Sequence, residues 1–341
     1  MHRLLLLPLL TGLLTAAEPV RLIFDTDLGN DCDDVTALAM IHALADRGQV
    51  NLLAVTVTKD DALAAPLVDA INTFYGRPDT PIGVVRDGVS SGEGRYLPMA
   101  RDTLPDGSLM YPRDLESNAA APAALDLLRQ TLAAQPDGSV TLCQVGFFTN
   151  FARLLDTPPD AHSPLKGRDL IAQKVKLLCI MAGAFQSIDY NGRFTNRHLE
   201  YNVVKDIPAA QKLAQEWPTP VVWSGFEIGI ATAYPHQSIE HDFDYVPHHP
   251  VKDASVRYNP PPHDRPNWDP TAALYAILPE REYFGLTPEG AVDVDDEGAT
   301  EFKTKGKNQP IGNHRALLLT PTQAERVREA IVELASQPPR R

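Results

Sequence analysis

Cysteine is scarce in this chain, which has only three such residues among 341. Cys32, Cys143 and Cys179 include no C-x-x-C pair, and their number is odd, so neither a zinc ribbon nor a disulfide framework is indicated. Cys143 and Cys179 fall in predicted buried strands, where we expect plain core residues. Cys32 lies among aspartates that would oppose a thiolate, which argues against a nucleophilic role.

Positive charge is also in short supply. The chain has 31 Lys and Arg residues against 44 Asp and Glu residues, a net charge of −13. Binding to nucleic acid or to an anionic membrane requires a basic face. The composition therefore argues against both classes of partner.

Long apolar runs are missing beyond the N-terminus. Leu4 to Leu14 is too short for a permanent membrane span. It follows the positive segment Met1–Arg3 and precedes the small residues Thr15–Ala17, an order typical of a signal peptide. A buried first helix is the alternative, but a proline and a glycine within the run disfavour it. We predict that residues 1–17 are cleaved, that the protein is exported to the periplasm or extracellular space, and that no membrane attachment follows signal removal.

From Val20 onward, short apolar runs alternate with amphipathic segments. This alternation predicts an α/β fold with an open, mostly parallel sheet and helices on both faces. We find no repeat and no linker, so residues 18–341 are predicted to form a single domain. Residues 235–267, rich in Pro, His and Asp, are predicted to be an inserted loop or lid. Residues 290–319 resemble a small C-terminal β-hairpin region.

One stretch concentrates acidic side chains between a predicted strand and a predicted helix. Asp25 to Asp34 contains five aspartates and no Lys or Arg. Such a cluster is costly unless a cation neutralises it or some of the acids stay protonated. Oxygen ligands suit a hard divalent cation, Ca²⁺ or Mg²⁺. The alternative is a solvated turn in which Asp33 or Asp34 only caps the helix.

Three further places follow predicted strands or precede a predicted helix, and each also has an ordinary structural explanation. Val145-Gly146 with Thr149-Asn150 offers a strand-end carbonyl and a close backbone approach. The segment Asn196 to Asn202 is dense in groups that bind hydroxyls, although it could be a polar surface loop. Asn267 to Pro270 places Asp269 where it could cap a helix.

Together these places resemble the inosine–uridine preferring nucleoside hydrolase family. Its N-terminal motif D-x-D-P-G-x-D-D-A is similar to Asp25 to Val35, here with two extra residues and Leu28 in place of proline, a spacing similar to that of a divergent bacterial branch. Its strand end T-G-x-L-T-N is similar to Val145–Asn150. Its E-F-N followed by D-P-x-A-A is similar to Glu200–Asn202 and Asp206–Ala210. Its late H-D corresponds to Trp268-Asp269.

The resemblance implies a Rossmann-like nucleoside hydrolase fold and a calcium-dependent hydrolase of the N-glycosidic bond of a nucleoside or related riboside, giving free base and ribose. It implies Asp27 as general base, and often a homo-oligomer. The implied metal ligands are Asp27, Asp34, the Val145 carbonyl and Asp269, joined by Asp31 or Asp33. The implied substrate-binding residues are Asp33, Asn196, Glu200, Asn202 and Trp268.

Two departures from the family pattern concern the substrate. Many members have a histidine where Trp268 stands, and that histidine protonates the leaving base; tryptophan can stack on a ring but cannot serve as that acid. His241, His248, His249 and His263 are candidate replacements. The usual asparagine after the second strand is replaced by Lys59-Asp60-Asp61, so the substrate could differ from a common ribonucleoside.

Two alternatives stay open from the sequence. A catalytically silent nucleoside- or sugar-binding protein would keep the metal site without a proton donor. An Asp-nucleophile phosphatase would use Asp25-Thr26-Asp27 with Mg²⁺, but it leaves Glu200–Asn202 and Trp268-Asp269 unexplained.

Overall fold

The computed structural model describes residues 18–92, 94–304 and 312–340. The predicted signal peptide, residues 1–17, lies outside the described residues, as does part of the predicted hairpin region. Within the described ranges, no helix combines the length and apolar character needed to cross a bilayer.

The strands form one ten-stranded sheet and one separate pair, β6 with β7. In chain order they are β1 Val20–Thr26, β2 Val50–Lys59, β3 Ile82–Val89, β4 Val140–Gln144, β5 Val175–Met181, β6 Ile188–Tyr190, β7 Arg193–Thr195, β8 Val221–Ser224, β9 Gly285–Leu286, β10 Gly290–Val294, β11 Thr300–Thr304 and β12 His314–Leu318.

The main sheet has the order β11-β10-β12-β8-β5-β4-β1-β2-β3, with β9 beside β12. The seven neighbouring strands from β12 to β3 run parallel. Strands β9, β10 and β11 are antiparallel additions. The predicted open, mostly parallel sheet is confirmed, and its parallel pairs require long crossovers that the helices supply.

The helices connect and cover these strands. In chain order they are α1 Asp33–Asp46, α2 Ala64–Phe74, α3 Ala124–Ala133, α4 Thr149–Leu155, α5 Gly167–Lys174, α6 Tyr201–Lys205, α7 Ile207–Glu216, α8 Phe226–Ala231, α9 His236–His241, α10 Pro250–Tyr258, α11 Trp268–Ile277 and α12 Pro321–Ala335. Short 3₁₀ turns occur at Leu97–Arg101, Asn118–Ala120 and Pro279–Arg281.

Both faces of the sheet are buried, because successive side chains of a strand point to opposite sides. On β1, Phe24 packs into the apolar cluster formed with α1, α2, α11 and α12, whereas Ile23 packs into the cluster formed with α3, α4, α5 and α7. The prediction of helices on both faces is therefore confirmed. Helix α1 is buried from Asp33 to Leu44, which places its first carboxylates inside the protein.

Two segments differ from their predictions. Residues 235–267 are not a continuous loop, because α9 and α10 lie there. Helix α10 starts at Pro250, a residue suited to a first helical position, and the His249 side chain caps it by accepting a hydrogen bond from the Val251 N–H at 3.2 Å. In the C-terminal region, β10 and β11 form the predicted hairpin, but β12 joins the parallel sheet beside β8.

Candidate active site

The site lies where the strand order of the sheet reverses. From β1 the chain continues to β2 on one side, while β4 lies on the other, and ligands of open α/β sheets bind beyond the carboxyl ends of the strands at such a point. Asp27 follows β1 and Val145 follows β4. A Cβ at Gly146 would lie 2.5 Å from the Asp27 nitrogen. The two loops therefore approach so closely that only glycine fits there.

A cavity of about 280 Å³ opens at this edge of the sheet. Its walls come from the loop after β1, the ends of β4 and β5, the starts of α6, α8 and α11, and the segment between α10 and α11. The lining residues are Asp27, Asn30, Asp31, Asp33, Asp34, Val145, Met181, Glu200, Tyr201, Asn202, Phe226, Tyr258, Arg265, Trp268 and Asp269.

Three buried carboxylates converge in this cavity. Asp33, Asp34 and Asp269 each offer an oxygen, and these oxygens lie within 4.8 Å of one another. Asp33 and Asp34 begin α1, and Asp269 lies in the first turn of α11. Asp33 accepts a hydrogen bond from the Asp269 backbone N–H at 3.0 Å, and Asp34 accepts one from the Thr26 hydroxyl. The N-termini of two helices thus hold the group together.

The negative charges of these buried carboxylates repel one another and have to be compensated. Burial raises the pKa of Asp27 to about 6. Burial, followed by the charges of neighbouring aspartates, raises the pKa of Asp33, Asp34 and Asp269 well above the usual carboxylate range. Buried carboxylates this close must take up protons or bind a cation. A set of hard oxygen donors fits Ca²⁺ or Mg²⁺, so the residues present suit the divalent cation implied by the resemblance.

The other predicted ligands have different surroundings. Asp27 lines the same cavity, and its Oδ2 accepts a hydrogen bond from the Asn30 amide at 2.5 Å. Val145 also lines the cavity, and its carbonyl accepts a hydrogen bond from the Asn202 side chain at 2.8 Å. Asp31 is instead ion-paired with Arg265. Of the two open choices in the acidic loop, Asp33 rather than Asp31 completes the three-carboxylate group.

Glu200 and Asn202 both line the cavity, from the N-cap and the first turn of α6. Glu200 caps α6 and accepts hydrogen bonds from the backbone N–H groups of Asn202 at 2.9 Å and Gly183 at 3.1 Å. Burial raises the pKa of Glu200 to about 7. Asn202 also donates to the Met181 carbonyl at 3.2 Å. Both side chains are therefore oriented by the ends of β4 and β5.

Asn196 is not brought to the cavity. It is exposed after β7, and its Oδ1 accepts a hydrogen bond from the Ser187 hydroxyl at 2.7 Å. It follows the strand pair β6–β7, whose Asn191-Gly192 turn, with both residues at positive φ, is a hairpin signal that sequence analysis missed.

Aromatic side chains form an aromatic wall in the same cavity. Trp268 and Phe226 have ring centroids 5.0 Å apart at an interplanar angle of 35°. The indole N–H of Trp268 donates to the Phe226 carbonyl at 3.0 Å, which fixes the ring. Tyr258 and Tyr201 also line the cavity. Sequence analysis missed Phe226, although it follows the carboxyl end of β8 and the strand-end argument would have found it.

None of the four candidate histidines lines this cavity, whose walls are formed by described residues. His249 is buried in an aromatic cluster with Phe74 and Phe243, and burial lowers its pKa to about 3. His248 lies 3.5 Å from Asp253. His263 lines a small neighbouring cavity. The predicted replacement for the family's proton-donating histidine is therefore not at the site.

Two cations that sequence analysis did not place at the site lie close to it. Arg265 lines the cavity and contacts Asp31 from 234 positions away. Lys59 donates to the Asn30 side chain at 2.5 Å and to the Ser91 hydroxyl at 2.9 Å. No local pattern links Arg265 to the acidic loop. Lys59, in contrast, ends β2 beside β1 and stands where the family pattern has an asparagine, so the strand-end argument could have placed it at the site.

Fold and site together define an α/β protein with an acidic, cation-binding pocket at the switch point of its sheet. Residues 22–329 match the family model described as inosine-uridine preferring nucleoside hydrolase. The chain belongs to this family, and the resemblance found in its motifs is confirmed.

Solved structures with the same fold extend over nearly the whole chain. A plant nucleoside hydrolase is 21% identical with a TM-score of 0.67, covering 94% of this chain and 100% of that one. A purine-preferring ribonucleoside hydrolase from Gardnerella vaginalis is 18% identical with a TM-score of 0.65, covering 93% and 99%. The inosine-uridine preferring nucleoside hydrolase from Bacillus anthracis is 17% identical with a TM-score of 0.67, covering 93% and 99%.

A curated relative, an uncharacterized protein of Schizosaccharomyces pombe, is 28% identical over 203 residues. The match spans 56% of this chain and 56% of that protein.

Proposed function

We propose that this protein hydrolyses the N-glycosidic bond of a ribonucleoside to give the free base and ribose. The observation that carries the proposal is the convergence of Asp33, Asp34 and Asp269 in a cavity that the aromatic wall also lines. A sugar can be held by the carboxylates while its base lies against Trp268. Family membership supports the same reaction.

In the proposed reaction, the bond from C1′ to the base nitrogen breaks and its electron pair leaves with the base. A water oxygen bonds to C1′, and Asp27 takes the proton that this water loses. The transition state resembles a ribosyl cation. The buried negative charges of Asp27 and Asp33 stabilise it because they are already in place beside the sugar.

The sugar is positioned by hydrogen bonds between its hydroxyls and protein groups that are oriented before it arrives. Glu200 and Asn202 are held by backbone contacts at the ends of β4 and β5, and Asp33 is held by the start of α11. Such fixed geometry lowers the entropic cost of reaching the transition state.

We further propose that the cation is Ca²⁺, held by Asp34 and Asp269 with Asp27 and one oxygen of Asp33. When bound, Ca²⁺ would supply positive charge that binds the sugar hydroxyls and lowers the pKa of a nearby water. Mg²⁺ prefers fewer, more rigidly placed oxygen ligands than Ca²⁺, so a metal-replacement series distinguishes them.

Export is part of the proposal and rests on residues 1–17 alone. Fusion of these residues to a reporter enzyme, followed by cell fractionation and N-terminal sequencing, tests it. Retention of the uncleaved reporter inside the cell would contradict export. A homo-oligomer stays a prediction from the resemblance, and light scattering of the purified protein would test it.

The first experiment measures ribose released from a panel of purine and pyrimidine nucleosides. Wild-type protein is compared with Asp27→Ala and with EDTA-treated protein. Ribose release that is lost in both samples would establish a cation-dependent hydrolase and name the preferred base. Asp126→Ala, on an exposed turn of α3, serves as the matched control and is expected to stay active.

A second candidate is a binding protein that does not turn over its ligand. It is favoured by one observation, that no histidine lines the described cavity. Calcium-dependent binding of a nucleoside, measured by calorimetry without ribose release, would support this candidate and contradict the hydrolase.

A further inference from the structure

Arg265 occupies a defined place in the cavity beside the aromatic wall. It lies three positions before Trp268, in the segment between α10 and α11. Its guanidinium carbon is 4.8 Å from the centroid of the Tyr258 ring and 5.0 Å from that of Trp268. Among the described residues that line the cavity, it is the single cationic side chain.

Both ends of Arg265 are held in place. Its backbone carbonyl accepts a hydrogen bond from the Tyr234 N–H at 2.7 Å. Its Nε donates to Asp31 at 3.0 Å, and its Nη2 donates both to Asp31 and to the Tyr258 hydroxyl, the latter at 3.1 Å. Two donors on one carboxylate fix the plane of a guanidinium.

This arrangement leaves one amino group of Arg265 available. Its Nη1 has no hydrogen-bond partner among the described residues, although the side chain lines the cavity. Asp31, which belongs to the acidic loop after β1, supplies the carboxylate that orients Arg265.

In the proposed reaction, the negative charge that develops on the leaving base has to be stabilised. When the C1′–N bond breaks, the base carries away the electron pair and becomes anionic. The candidate histidines do not line the cavity, so no imidazole of that group can protonate the base. A base lying against Trp268 would be next to the guanidinium, which contacts the same ring.

We propose that Arg265, positioned by Asp31, stabilises the leaving base by donating a hydrogen bond from Nη1 to a ring nitrogen or carbonyl oxygen. Arginine keeps its proton, so it acts as a fixed positive charge and donor. The base then takes its proton from solvent, and the proton of the attacking water resides on Asp27. This inference rests on the proposed hydrolase function, and it identifies bases with an acceptor facing Arg265 as the preferred substrates.

The competing explanation is that Arg265 only neutralises Asp31. The two explanations differ in how activity depends on the leaving group. p-Nitrophenyl β-ribofuranoside releases a phenolate that is stable as an anion, so it needs little help in leaving. A nucleoside releases a much more basic anion. A residue that stabilises the leaving base matters for the second substrate and much less for the first.

The test compares Arg265→Gln and Arg265→Lys with wild type on nucleosides and on p-nitrophenyl β-ribofuranoside. Arg257→Gln is the matched control, because Arg257 forms a similar ion pair with Asp102 and does not line the cavity. We expect Arg265→Gln to lower kcat for nucleosides by about 10²-fold, with a far smaller loss on the nitrophenyl substrate. Arg265→Lys should recover part of the nucleoside activity, and Arg257→Gln should match wild type.

Equal losses on both substrates in the folded Arg265 variants would show a structural role and overturn the inference; Ca²⁺-dependent thermal shifts identify the folded variants. Undiminished nucleoside turnover in both variants would overturn it as well. A wild-type protein inactive on both substrates would instead overturn the proposed function, and the inference with it.

Discussion

The sharpest test of the cation site is Asp269→Asn, which removes one charge with little change of shape. Among the described residues, no hydrogen bond to the Asp269 carboxylate is present, while its two neighbours in the group accept bonds from Thr26 and from the Asp269 backbone. The substitution should therefore break no protein contact. Its effect on stability should come from charge alone, and the size of that effect should depend on whether a cation is bound.

The magnitude without a cation follows from the geometry. Carboxylate oxygens within 4.8 Å repel by at least about 3.5 kcal/mol per pair at an effective dielectric constant of 20. Asp269 takes part in two such pairs, for about 7 kcal/mol if all three groups are ionised. Proton uptake limits this cost, because protonating a carboxyl with an ordinary pKa of 3.8 at pH 7 costs about 4 kcal/mol. In EDTA, Asp269→Asn should therefore raise the unfolding free energy by up to about 4 kcal/mol.

With Ca²⁺ present the stability advantage of the variant over wild type should shrink. A cation at a hundredfold excess over its Kd adds about 2.7 kcal/mol to the wild-type protein. The variant lacks a charged ligand and should lose most of that gain. Urea unfolding at pH 7, followed by tryptophan fluorescence in EDTA and in CaCl₂, measures both quantities.

The matched control is Asp126→Asn, which also changes an aspartate in the first turn of a helix but at an exposed position. It should respond equally to EDTA and to CaCl₂. A variant Asp269→Asn that is less stable than wild type in EDTA, or a wild type that Ca²⁺ does not stabilise, would refute the argument that these carboxylates form a cation site.

Three further predictions follow from other parts of the molecule. Burial lowers the pKa of His42 to about 3, so between pH 6.5 and 3 the unfolded chain binds a proton that the folded protein does not, and stability falls as the pH is lowered. The difference in unfolding free energy between wild type and His42→Gln should therefore shift against wild type by about 2 kcal/mol from pH 7 to pH 5; a constant difference would contradict this. Trp268→Ala should weaken nucleoside binding roughly tenfold to hundredfold in calorimetry and Trp268→Phe much less, so equal affinities would argue against stacking. Gly146→Ala places a Cβ 2.5 Å from the Asp27 nitrogen and should lower the denaturation free energy by about 1–3 kcal/mol; an unchanged urea midpoint would show that the two loops can separate.

The class of fold was predictable because its signals are local. A parallel strand such as Val175–Met181 is apolar apart from the exposed Lys176, and such a run is a local signal. The start of α12 is also determined by neighbouring residues, because Thr320 and Gln323 form a capping box and Pro321 occupies the first helical position. Residues 235–267 were mispredicted as loop because Pro and His count against helices on average, whereas Pro250 and His249 stand at a helix start.

The candidate site was only partly predictable. Asp27, Asp33 and Asp34 occupy one strand–loop–helix unit, so their proximity follows from chain geometry over a few residues. Asp269 could be suspected from its place before a helix, but Asn196 was assigned to the cavity although the β6–β7 pair carries it away.

What the sequence determined by itself was the alternation of strands and helices and the acidic loop at the end of β1, because both depend on residues within a few positions of one another. What only the tertiary structure decided was which distant groups meet that loop. Asp269 joins Asp33 across 236 positions, and Arg265 takes Asp31 out of the cation group across 234 positions. Those contacts depend on the order of strands in the sheet and the packing of α11 against α1, which no local pattern of residues encodes.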